Sequence, residues 1–177
     1  MDFAAAPRMV VVSIGNVIRS DDGFGVRAMR QLERDPRVPA GVAFLDGGTL
    51  GIELLSYVSD SSHLLVLDAI DRRERPGTLF RMANDDLRGL PCGASVHQVG
   101  LADLLATLPL VSTAPRETVL LGVQPLSTDW GTELSPPVEA ALVPVVEAAV
   151  EQLVHWSERA VTGAVASAVL ANRNTGF

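Results

Sequence analysis

Cysteine, membrane-length apolar runs and cationic residues are all scarce in this chain, and each scarcity removes a class of function. Cys92 is the only cysteine among 177 residues. That excludes an internal disulfide and any zinc site built from several thiolates. No apolar run approaches the ~18 residues that a membrane-spanning helix requires, so no membrane insertion is expected. The opening MDFAAAPR has neither the basic start nor the long apolar stretch of a secretion signal, and a cytoplasmic location is expected. Lys and Arg number 14 against 21 Asp and Glu, a net charge of −7, which disfavours nucleic acid and anionic membrane surfaces as partners. The familiar hydrolase signatures are missing too. There is no G-x-S-x-G elbow, no H-E-x-x-H and no paired D-T/S-G of the pepsin type. Asp46-Gly47-Gly48-Thr49 is a different arrangement.

What the chain does have is hydrophobic content, 47% of its residues, enough for one domain with a full core. Residues 1–177 are expected to form a single domain, its core at about 9–158, flanked by tails at 1–8 and about 160–177. Short apolar runs at Val10–Ile14, Val42–Leu45, Leu64–Leu67, Thr78–Met82 and Val119–Val123 alternate with longer amphipathic segments. Most runs lack polar alternation, as befits strands buried on both faces of a parallel sheet. Helical spacing recurs at Phe24–Arg34, Ile52–Val58, Leu101–Leu108 and Pro137–Trp156, with Ser135 placed as an N-cap and Pro144 expected to kink the last helix. An extra helix near Val161–Leu170 is expected in the tail. The fold expected is therefore α/β, a three-layer sandwich with a mainly parallel five-stranded sheet and helices on both faces. The Pro76-Gly77 turn leaves Thr78–Met82 open to antiparallel pairing at an edge.

The chemistry concentrates at strand ends, where open α/β sheets collect ligands. The first run leads through a glycine-containing loop into Asp21-Asp22 and then Gly23 and Gly25. A phosphate-binding loop of this shape presents amide groups to an anion; this one is acidic and favours a cation or a proton instead. Asp46 and Asp68 end the second and third runs. Three carboxylates at successive strand ends repel one another unless a cation or shared protons compensate. His97, in the loop Ser95-Val96-His97-Gln98, is the histidine best placed to ligate or transfer protons. His63 starts the third run, at the end opposite Asp68, and His155 lies near the expected end of the last helix, where a cation is favoured. A dinucleotide-binding alternative rests on Asp46, ~20 residues beyond Gly25, where a ribose-binding acid belongs; it lacks the G-x-G-x-x-G fingerprint.

Taken in order, Ile14-Gly15-Asn16, Ser20-Asp21-Asp22-Gly23-Phe24-Gly25-Val26, Leu45-Asp46-Gly47-Gly48-Thr49, Asp68-Ala69-Ile70, Pro76-Gly77-Thr78, Ser95-Val96-His97-Gln98, Gly122-Val123-Gln124-Pro125 and Leu134-Ser135-Pro136-Pro137-Val138 resemble the hydrogenase maturation proteases. These endopeptidases trim the C-terminus of the nickel–iron hydrogenase large subunit. The resemblance implies that Asp22, Asp68 and His97 are both the metal ligands and the catalytic set, and that Asp46, Gly47, Gly48 and Thr49 recognise substrate. It also implies classification as an aspartic-type peptidase. The partner would be the hydrogenase large-subunit precursor, and the cofactor would be nickel carried by that precursor. Cadmium or zinc would occupy the site in isolation, and the protein would act as a monomer. Two carboxylates and one imidazole suit a borderline divalent ion with open positions. Whether a carboxylate also serves as general base is left open, and a non-catalytic nickel checkpoint or chaperone using the same trio is the main alternative.

Overall fold

The computed structural model describes residues 8–89, 103–104, 106–108, 110 and 115–173. Their strands are β1 (Met9–Ser13), β2 (Ala43–Asp46), β3 (His63–Ala69), β4 (Leu79–Ala83) and β5 (Glu117–Val123). They form a five-stranded sheet in the order β2-β1-β3-β5-β4. The β1–β2, β1–β3 and β3–β5 pairs are parallel, while β4 runs antiparallel to β5. The arrangement is the mainly parallel three-layer sandwich expected, with the strand after Pro76-Gly77 as its antiparallel edge.

Helix α1 (Phe24–Leu32) and the long helix α4 (Leu142–Arg173) cover one face. There Phe24, Ala28 and Leu32 meet Val145, Ala149 and Leu153 over Val11, Leu65 and Leu121. On the other face, Leu54, Val58 of α2 (Leu55–Val58), Leu104 and Leu108 cover Val10, Val12, Leu64, Val66 and Leu120. β1, β3 and β5 feed side chains alternately into both clusters, which is why their sequences show no polar alternation. β2 has one neighbour and is partly exposed along its length.

Two helical expectations change. The segment read as one kinked helix is two, α3 (Pro136–Glu139) and α4. Pro144 has no N–H, and its ring would collide with the carbonyl four residues back. The chain therefore restarts, placing Pro144 in the first turn of α4, where a missing N–H leaves no intrahelical bond unmade. The first bond across the break is Val145 N–H to the Ala141 carbonyl, 3.1 Å. The tail helix is not a separate element: α4 continues unbroken to Arg173. His155 accordingly lies in mid-helix, exposed, and not at a helix end. Ile52–Val58 is one turn of 3₁₀ helix running into the short α2.

Among the described residues no helix is long and apolar enough to cross a membrane.

Candidate active site at the carboxyl edge of the sheet

β1, β2 and β3 all deliver their carboxyl ends to one edge, in register Ser13 to Asp46 and Ser13 to Leu67. From β1 the chain turns through Gly15 into a 3₁₀ turn, Ser20–Gly23, that enters α1 directly. Gly25 fixes how close that helix start lies to the sheet. A Cβ there would stand 2.3 Å from the Leu67 carbonyl oxygen and 2.5 Å from that of Ile14. The absence of a side chain thus presses the Asp21-Asp22 turn against the ends of β1 and β3, beside Asp68.

The adjacent acids Asp21 and Asp22 are both buried, and they do different work. Asp21 is fully enclosed and accepts four hydrogen bonds. They come from the Leu126 and Ser127 amides (2.8 and 3.1 Å) and from the Ser135 amide and hydroxyl (2.6 and 2.8 Å). It ties the β1–α1 turn to the loop that follows β5. Ser135 occupies the N-cap position of α3, but its hydroxyl serves Asp21 and makes no cap bond. Asp22 accepts the Asn16 amide at 2.9 Å through Oδ2. Asp68, buried at 1% exposure in the last part of β3, shares a pleat face with Leu64 and Val66. It therefore belongs to the side of the sheet covered by α2 and Leu104.

Asp46 is exposed at the end of β2, where its Oδ1 accepts the Gly48 amide at 3.1 Å. Gly47 is buried and donates to the Ser13 carbonyl (2.9 Å), the Gly48 carbonyl accepts the Gly15 amide (2.8 Å), and Thr49 is exposed. The Asp46–Thr49 loop is thereby joined to the loop that carries Asp22. His97 and Cys92 lie outside the described residues. Among the described residues no set of three His, Cys, Asp or Glu side chains is disposed to hold a metal ion. Asp22 and Asp68 are both buried at this edge, at 4% and 1% exposure. His63 stands at the opposite end of β3, half-buried, with Nδ1 2.9 Å from the Ser62 hydroxyl and its ring 4.9 Å from Trp156.

Gln124, just past β5, had no assigned role in the sequence reading. Its Oε1 accepts the Arg72 and Glu74 amides (2.8 and 3.2 Å), and its Nε2 donates to Asp71 at 3.0 Å. That donation, the largest influence, holds the Asp71 carboxyl below the usual carboxylate range. Gln124 thus shapes the β3–β4 loop beside Asp68. The signal was the polar residue directly after the apolar run Val119–Val123.

The Asp21 network yields a stability prediction. Asp21→Ala would leave three amides and a hydroxyl without their acceptor, a loss of about 2–4 kcal/mol. For a chain of this length that lowers the thermal midpoint by roughly 10 °C. Asp21→Asn, which keeps one acceptor oxygen, should fall between the two. A midpoint for Asp21→Ala equal to wild type would show that the network contributes nothing net.

The architecture is a mainly parallel α/β sheet with buried carboxylates at its carboxyl edge. The family model for hydrogenase maturation proteases matches residues 26–152. The hydrogenase expression/formation protein HupD of Bradyrhizobium diazoefficiens is 38% identical over 173 residues, covering 93% of this chain and 90% of that protein. The hydrogenase 2 maturation protease of Escherichia coli is 37% identical over 142 residues, or 79% and 87% of the two chains. In structure, the hydrogenase maturating endopeptidase HybD from E. coli superposes with a TM-score of 0.79 at 35% identity, covering 84% of this chain and 93% of that one. The chain belongs to the hydrogenase maturation protease family. It is a peptidase of hydrogenase maturation.

Proposed function

We propose that the chain removes the C-terminal extension of a nickel-loaded hydrogenase large-subunit precursor, with Asp22, Asp68 and His97 acting on nickel that the substrate brings. The observation that carries the reading is the burial of Asp22 and Asp68 at one sheet edge, with the Asp22 turn pressed onto β3 through Gly25. Two carboxylates held close together away from water favour a cation between them. A divalent ion presented by a precursor would be such a cation. Two carboxylates and an imidazole offer it a mixed oxygen–nitrogen set and leave positions for the precursor's own ligands.

Nickel here is part of the substrate. Once held, it would polarise the neighbouring peptide carbonyl as a Lewis acid. The chain's residues perform the rest: Asn16 orients Asp22 through its amide, and the Asp46–Thr49 loop, joined to Gly15, receives the precursor chain. In this reading the aspartic-type assignment describes carboxylates that bind and position the ion, with proton transfer from water as the further role open to Asp68. Asp46→Ala is expected to change the efficiency or choice of precursor and leave the chemistry intact.

The test is intact-mass measurement after incubation with precursor in nickel-loaded and nickel-free forms. Shortening of the loaded form alone is expected. Equal cleavage of both overturns the gating, and tight nickel-dependent binding without shortening returns the checkpoint reading.

A further inference from the structure

Exposed apolar side chains gather on the loops that rim the candidate site. Val17 and Ile18 project from the loop after β1, and Leu126 and Trp130 from the loop after β5. Ile18 is 49% exposed, Leu126 57% and Trp130 74%. Neither loop is loose. The Ser20 amide donates to the Gly131 carbonyl at 2.8 Å, and the Gly131 amide donates to the Ile18 carbonyl at 3.1 Å. Asp21 holds the Leu126 amide from within. Large apolar groups fixed in water on a rigid frame are a mark of a partner surface.

Arg19 adds a charge to this ridge. Its guanidinium lies over the Trp130 ring, 5.3 Å from the centroid, and among the described residues it makes no ion pair. In a chain of net charge −7, a stacked cation without a carboxylate beside it selects an acidic group on whatever settles there.

We propose that Ile18, Leu126, Trp130 and Arg19 form the docking ridge for the precursor polypeptide, gripping a segment that carries an apolar side chain together with an acidic one. The inference rests on the processing function proposed above and names the contact that function uses. Continuity with the site supports this occupant. Asn16 binds Asp22, and Val17 and Ile18 follow it; Leu126 is hydrogen-bonded to the residue before Asp22. The ridge and Asp22 thus belong to one pair of joined loops. The ridge contributes grip and register, not bond breaking.

The experiment uses the full chain and the nickel-loaded large-subunit precursor. Ile18→Asp and Trp130→Ala should each raise KM about 10-fold and leave kcat within about twofold, the pattern of lost uniform binding. Arg19→Glu should raise KM further, with weaker dependence on salt than wild type. Thermal midpoints should stay within a few degrees of wild type, because these side chains face solvent. Binding is also read directly in the Asp68→Asn variant through Trp130 fluorescence. The other of the two tryptophans, Trp156, is buried against His63, so the precursor should alter the Trp130 emission, and Ile18→Asp should remove that change. KM values within twofold of wild type for Ile18→Asp and Arg19→Glu would overturn the ridge. An Asp68→Asn variant that still cuts would instead sink the catalytic assignment and leave the ridge to be judged by fluorescence and KM.

Discussion

Asp68→Ala is expected to leave the precursor uncut while the protein remains folded. If, as proposed, Asp68 both binds the ion and positions the scissile carbonyl, its loss costs several orders of magnitude in rate, about 10³-fold or more. Asp68 is 1% exposed on a pleat face it shares with Leu64 and Val66, so loss of chemistry has to be separated from loss of fold. Asp22→Asn is the companion variant. It keeps an acceptor for the Asn16 amide, now 2.9 Å from Asp22 Oδ2, and removes only the charge. His97→Ala completes the set. Single-turnover assays on nickel-loaded precursor, read by intact mass, measure all three against wild type, with thermal unfolding alongside. Wild-type cleavage by Asp68→Ala would remove the trio from catalysis. Loss of activity accompanied by unfolding would assign Asp68 a structural role instead.

The sheet was legible because its central strands are buried on both faces, and unbroken apolar runs such as HLLVLDA have few other places to go. Strand ends followed, and with them the positions of Asp22, Asp46 and Asp68. The hidden features were those decided by contacts distant in sequence. Asp21 and Asp22 are chemically identical neighbours. Only the return of residues 126–135 across the β1–α1 turn makes Asp21 a structural hub and leaves Asp22 as the candidate site residue. Ser135 read as a helix cap because local sequence favours that role; its hydroxyl was taken instead by a buried carboxylate 114 residues away. Pro144 read as a kink within a helix because apolar spacing continues across it, whereas the backbone restarts two residues earlier. The Trp130 ridge had no periodic signal at all, since loop residues carry none.

Gly15→Ala should be among the most damaging single substitutions in the chain, through both stability and the site. Gly15 has φ +125°, a conformation open almost only to glycine, and a Cβ there would stand 1.8 Å from the Asp22 carbonyl oxygen. The obstacle is backbone, so the turn carrying Asp22 must move. Gly15 also donates to the Gly48 carbonyl at 2.8 Å, and the displacement would therefore reach the Asp46–Thr49 loop. Strain and steric displacement together predict a loss of about 3–5 kcal/mol, or a fall of roughly 10–15 °C in thermal midpoint. Gly41→Ala supplies the control. Gly41 also has positive φ, +86°, but nothing lies within 4 Å of its would-be Cβ. It should therefore bear only the conformational cost, about 1–2 kcal/mol, and process precursor normally. Assayed at a temperature where both variants are folded, Gly15→Ala should cut at least about 100-fold more slowly than Gly41→Ala, because a displacement near 1 Å at a site residue carries that order of penalty. Equal rates in the two folded variants would show that the backbone position of Asp22 does not govern the reaction.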